Sequence, residues 1–243
     1  MSAEARPAFY ALARGSWRDY VTVLHPPYTA WHLSYVAIGA ALAPAWHPGR
    51  MGAALAAFFL AVGIGAHALD ELNGRPLSTR IPTRILAGAA AVSIGGAIAI
   101  GIAGAVTLDL WQLAFVAAGV VVVCAYNLEL AGGRFHSDAW FALDWGAFPL
   151  LTTYFACAGR IRWEAVLAAG FAALTAYGQR RLSSPVRRLR RRVASVSGSV
   201  VLADGTREPL TRETLIAGNE AALRAFALAH VVLAVALVVL RAR

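Results

Sequence analysis

The chain has 243 residues, of which 59% are hydrophobic and only 14% charged, with a mean hydropathy of +0.60. That composition excludes an ordinary soluble domain. The net charge of +9 is carried on the basic side by arginine alone and tracks the ends of apolar segments, so no nucleic-acid partner is expected.

In chain order, residues 1–27 read as an amphipathic N-terminal segment. "FYALARGSWRDYVTVL" sets aromatic and aliphatic groups among arginines, which suits a helix lying in a headgroup layer. Seven apolar stretches follow, at about 28–46, 51–69, 84–106, 109–128, 139–158, 163–178 and 221–240. A hydrocarbon core needs roughly 20 apolar residues per helix, and backbone in lipid must bond within its own segment. The expectation is an all-α, polytopic transmembrane bundle of about seven spans, occupying 28–192 and completed by a last helix at 217–243. Residues 193–216 should form a small polar excursion, with Asp204-Gly205 as a hairpin turn signal.

Arginine is concentrated on one side of this arrangement: Arg6, Arg14, Arg18, Arg75, Arg80, Arg84, Arg134, the 180–192 cluster, Arg207 and Arg212. By the positive-inside bias that side is cytoplasmic, with the N-terminus there and the C-terminus opposite. Cys124 and Cys157 each lie within apolar runs, so no disulfide framework is expected.

Three groups of residues could carry chemistry. In "GAHALDELNGRPLSTRIP", His67, Asp70 and Glu71 fall at helical spacings of three and four, so they can share a face and bind a divalent metal. Arginines in the following loop could equally neutralise them. In "YNLELAGGRFHSDAWFALDWGAFPLLTTYFA", Tyr126, Asn127, Glu129, Arg134, His136 and Asp138 surround a glycine turn. Asp144 lies within the next span and should face the bundle interior. Pro149 should kink that span and free a carbonyl nearby. The run "GQRRLSSPVRRLRRR" suits anionic lipid headgroups, or a phosphate clamped by guanidinium forks through Arg180 and Arg181. His25 and His32, seven apart, can face one cavity.

"GRPLSTRIPTRIL" and the stretch from Tyr126 to Ala156 resemble the UbiA superfamily of intramembrane prenyltransferases. The first is similar to the Arg-Pro-Leu loop after that superfamily's first aspartate-rich motif, the second to its fourth-to-fifth-helix region. The resemblance covers roughly residues 15–180. It implies a helical bundle around a cavity in which an isoprenoid diphosphate, held through magnesium, loses its diphosphate to an acceptor. Carried onto this chain, it implies Asp70, His67 and Asp144 as catalytic residues and His67, Asp70 and Glu71 as metal ligands. It further implies Arg75, Tyr126, Asn127, Arg134, Arg180 and Arg181 as substrate-binding residues. The chain departs from the family where aspartates would stand. Ala66 and Gly74 flank Asp70 at the motif spacing, and arginines occupy the place of the second acidic motif. Two other readings stay open. One is a metal oxidoreductase or hydrolase using His32, His67, Asp70, Glu129 and His136. The other is a lipid-binding scaffold without chemistry.

Overall fold

The computed structural model describes residues 6–243, so residues 1–5 of the expected N-terminal segment lie outside it. Among the described residues the chain is nearly all helical. The helices are α1 (Trp17–Val23), α2 (Pro26–Leu42), α3 (Pro48–Leu72), α4 (Thr83–Thr107) and α5 (Gln112–Asn127), then α6 (138–158), α7 (Trp163–Arg191) and α8 (Arg212–Ala242). Strands β1 (Ser199–Val201) and β2 (Arg207–Pro209) pair antiparallel between α7 and α8, with Val200 opposite Glu208.

Three of the helices, α3, α4 and α8, are long and apolar enough to cross a membrane. Only 28%, 17% and 22% of their apolar windows are covered by the rest of the chain. Val92, Val106, Leu167 and Leu174 stand outward with about three quarters of their surface free. An apolar exterior of this kind requires a non-aqueous surrounding.

The centre belongs to α2. Pro26 and Pro27 open it, where a missing backbone N–H costs no helical hydrogen bond. Trp31, Tyr35 and Ile38 are buried against Leu150 of α6, Ala172 of α7 and Leu223 of α8. Small residues allow the close approach. A Cβ on Gly39 would collide with the Leu150 carbonyl, and one on Gly146 would come within 2.5 Å of the Ala172 carbonyl oxygen.

Both α3 and α6 carry a π-helical stretch, Phe59–Ala66 and Leu143–Ala147 respectively. The second lies immediately before Pro149. Proline has no N–H to give to the carbonyl four residues earlier, and that carbonyl, Trp145, accepts instead from His32 Nδ1 at 2.9 Å.

Three sequence expectations are corrected. The N-terminal stretch is not one amphipathic helix: Gly15 and Ser16 have positive φ, only Trp17–Val23 is helical, and Phe9 and Tyr10 pack inward on Tyr28. The helix expected to end at 178 continues to Arg191, because arginine is a good helix former and the run stays in register with the packed part. The last helix begins at Arg212, set by a capping box between Thr211 and Thr214.

Candidate functional site: a basic cavity beside an apolar one

At one end of the bundle the loop 73–82 is built around Glu71. This carboxylate is fully buried and accepts from the amides of Leu77 (2.9 Å) and Thr79 (2.8 Å) and from the Thr79 hydroxyl (2.9 Å). Arg75 closes the same loop, donating to the Ile81 carbonyl at 2.6 Å and to the Thr83 hydroxyl at 2.8 Å. Asp19 joins it to the N-terminal segment by accepting from the amides of Gly15 and Arg80.

Below the loop, a cavity of about 900 Å³ lies between the ends of α2, α3, α5 and α7, beside the N-terminal segment. Eight arginines line it, against the two carboxylates Asp70 and Glu129. His67 donates from Nδ1 to the Gly63 carbonyl at 3.2 Å, and its ring stacks on His25 with centroids 4.1 Å apart. His25 Nδ1 shares a 3.0 Å hydrogen bond with the Tyr10 hydroxyl, while its Nε2 is buried without a partner. Burial, and then the His67 ring, hold His25 well below the usual imidazole pKa. Burial pushes the Tyr10 phenol up. The Tyr126 hydroxyl and the Gln179 carboxamide oxygen are likewise buried in this wall with no partner. A buried polar atom left unpaired costs about 1–3 kcal/mol, so these three atoms give the cavity wall free capacity for a polar partner.

The arginines divide by what they hold. Arg180 and Arg181 both bind Asp138, at 3.2 and 3.3 Å; Arg180 also lies 5.9 Å from the centre of the Tyr126 ring. Arg190 makes a close pair with Glu220. Arg187 and Arg191, one turn apart on α7, have no carboxylate partner among the described residues. Arg187 touches the Ser184 hydroxyl and Arg191 the Pro7 carbonyl. Burial, and then Arg180 and Arg191, hold the Arg187 pKa below its usual value, the mark of a cation short of an anion.

A second cavity, of about 450 Å³, lies between α3, α4, α5 and α6 and is lined almost wholly by apolar side chains. Its polar exceptions include Arg50 and Thr107 at one end. Asp144 sits in the π-helical stretch of α6, and the Gln112 and Thr152 side chains each hold a buried oxygen without a partner. Val62 and Trp145 line both cavities, so these two side chains form a wall between them.

Set beside the sequence expectations, Asp70, His67, Arg75, Tyr126, Asn127 and Arg180 all line the basic cavity. Asn127 is tied down, donating to the Val123 carbonyl while its own carbonyl accepts from Asn73. Arg134 and Arg181 are exposed and line neither cavity. Asp144 faces the interior, but in the apolar cavity rather than beside Asp70. The metal set of His67, Asp70 and Glu71 does not converge, because Glu71 spends both carboxylate oxygens on the loop. His32, His67, Asp70, Glu129 and His136 do share the basic cavity. Yet no three His, Cys, Asp or Glu among the described residues are grouped so that they could hold a metal ion. Sequence reasoning offered the whole 178–192 run as a phosphate clamp but named only Arg180 and Arg181 from it; Arg187, Arg191 and Gln179 were not singled out, and Tyr10 was not considered. The signal for Arg187 and Arg191 was present: 180, 184, 187 and 191 recur at helical spacing and share a face.

Compared with protein-family models, with curated proteins and with solved structures, the chain matches none.

Proposed function

We propose that the chain is a multi-pass membrane protein of UbiA-like design that binds an isoprenoid or related lipid diphosphate and transfers its alkyl group. The headgroup would occupy the basic cavity and the chain the apolar one. The observation that carries this reading is the wall shared at Val62 and Trp145: a cationic chamber lies directly beside an oily one, the pairing that an amphiphile with an anionic head would use. In the transfer, the allylic C–O bond breaks and its electron pair leaves on the diphosphate. The acceptor then bonds to the allylic carbon and gives up a proton. Arginines around the headgroup would stabilise the departing anion. Asp144, the one carboxylate lining the apolar cavity, would orient the acceptor and take its proton.

The arginine-rich end would face the cytoplasm, with seven helices crossing the membrane, the N-terminus inside and the C-terminus outside. The excess of arginine at that end supports this. Anionic lipid headgroups would be its bilayer partners, at the exposed guanidinium groups of the same end.

The test is incubation of the purified full-length protein with radiolabelled polyprenyl diphosphates and a panel of phenolic and lipid acceptors. Binding of the lipid diphosphate and release of inorganic diphosphate are followed with and without magnesium. Release that falls at least tenfold in Asp144→Asn is the expected result. If neither binding nor release is seen under any condition, the reading fails; binding without release to any acceptor would make the protein a carrier.

A further inference from the structure

We propose that the basic cavity grips the diphosphate directly, through Arg187, Arg191 and the Tyr126 hydroxyl, with no divalent cation between protein and phosphate. This rests on reading the cavity as a lipid-diphosphate site. A magnesium ion bridging protein and diphosphate needs carboxylate oxygens aimed at it. The cavity offers little of that kind. Glu71 is consumed by the 73–82 loop, and Glu129 is 56% exposed beside His136, leaving Asp70 as the one carboxylate deeper in the chamber. A dication there would also stand among guanidinium groups that repel it. Where the family expectation calls for a second acidic motif, this chain carries α7 with its arginines.

The donors suit a phosphate. Arg187 and Arg191 present two guanidinium forks from successive turns, neither of them neutralised by a carboxylate among the described residues. Such forks match phosphate oxygens in pairs. Tyr126, 5% exposed, holds a hydroxyl with nothing to donate to, in the same wall. Asp70 lines the same chamber as this pair, together with Tyr10 and Tyr126. A phosphate held there would meet the Asp70 carboxylate as a like charge, so Asp70 is a competitor of the phosphate rather than its support. Removing its charge should strengthen binding, the opposite of what a metal-bridged site would show.

The experiment measures equilibrium binding of farnesyl diphosphate to the full-length protein in nanodiscs, in EDTA and in magnesium. Inorganic diphosphate serves as competitor. Dissociation constants in the two conditions should agree within about twofold, and Asp70→Asn should bind as tightly as the parent or more tightly. Tyr126→Phe, which keeps the ring, should weaken binding several-fold, and Arg187→Gln with Arg191→Gln by about tenfold or more. Inorganic diphosphate should compete at least tenfold more weakly than the lipid; equal competition would overturn the lipid as the source of the phosphate. Binding that appears only with magnesium, and vanishes in EDTA and in Asp70→Asn, would overturn the direct grip while leaving the lipid-diphosphate reading intact. Absence of binding in every condition would overturn both.

Discussion

Asp70 and Glu71 are neighbours of the same chemical kind with opposite fates. Glu71 turns away from the basic cavity and becomes the hub of a loop, accepting three hydrogen bonds, whereas the Asp70 side chain lines the chamber and its carboxylate accepts none from the described residues. Glu71→Gln can satisfy only part of that set, so it should lower thermal stability by about 1–3 kcal/mol, read as a drop in melting temperature. Asp70→Asn should melt like the parent. The sequence displayed both carboxylates but not this division, because helical spacing brings either of them to a face with His67. Only the path of the loop decides which oxygen meets which amide. His25 gives a pH signature. Its folded pKa lies well below the ordinary value of 6.5, so the unfolded chain binds more protons there. Stability is therefore complete above about pH 6.5 and falls as pH drops below it. Melting at pH 7 and pH 5 should show a smaller acid-side loss in His25→Gln than in the parent.

Among the elements, the helical character of the apolar runs was legible, three of them long and apolar enough to cross a membrane, and so was the β-hairpin, because Asp204-Gly205 is a specific turn signal. Asp144 was legible too: a carboxylate in an oily run has only the interior to face, and the structure buries it against the apolar cavity. The extent of α7 was not legible. Its arginine run has the composition of a solvated loop, yet it continues the register of a packed helix, and that continuation aims Arg187 and Arg191 into the chamber. Helix contact depends on glycine in a way that can be measured. Gly146→Ala places a methyl group against main-chain atoms of Ala172 and Ala173, which cannot rotate aside. A loss of about 1–3 kcal/mol is expected on denaturation. Gly104→Ala, whose added atom meets nothing within 4 Å, should be neutral and serves as the control.

At the scale of the whole molecule, the two ends differ in kind. One end carries the basic chamber. At the other, Arg50 and Arg241 donate to the carbonyls of Ala156 and Cys157 and of Ala43 and Pro44, which helix ends would otherwise leave without partners. The proposed orientation can be read by labelling at Ser197, which is exposed between α7 and β1. With Cys124 and Cys157 replaced by alanine, Ser197→Cys should react with a membrane-impermeant maleimide in inverted vesicles and not in intact cells. The reverse pattern would turn the molecule over. Charge distribution made the polar end legible in the sequence, but the shared wall of two chambers was not, since it arises from residues of separate helices, Val62 and Trp145. The N-terminal segment adds a last consequence. Arg190 and Arg191 fasten it by its main-chain oxygens at Arg6 and Pro7, so altering its own side chains there would not release it. Because Arg191 also borders the chamber, an arriving anion draws on the same guanidinium that latches the strap. Under the proposed function, an anion held by Arg191 would compete with the Pro7 carbonyl for the same guanidinium, so filling the chamber would loosen the clasp.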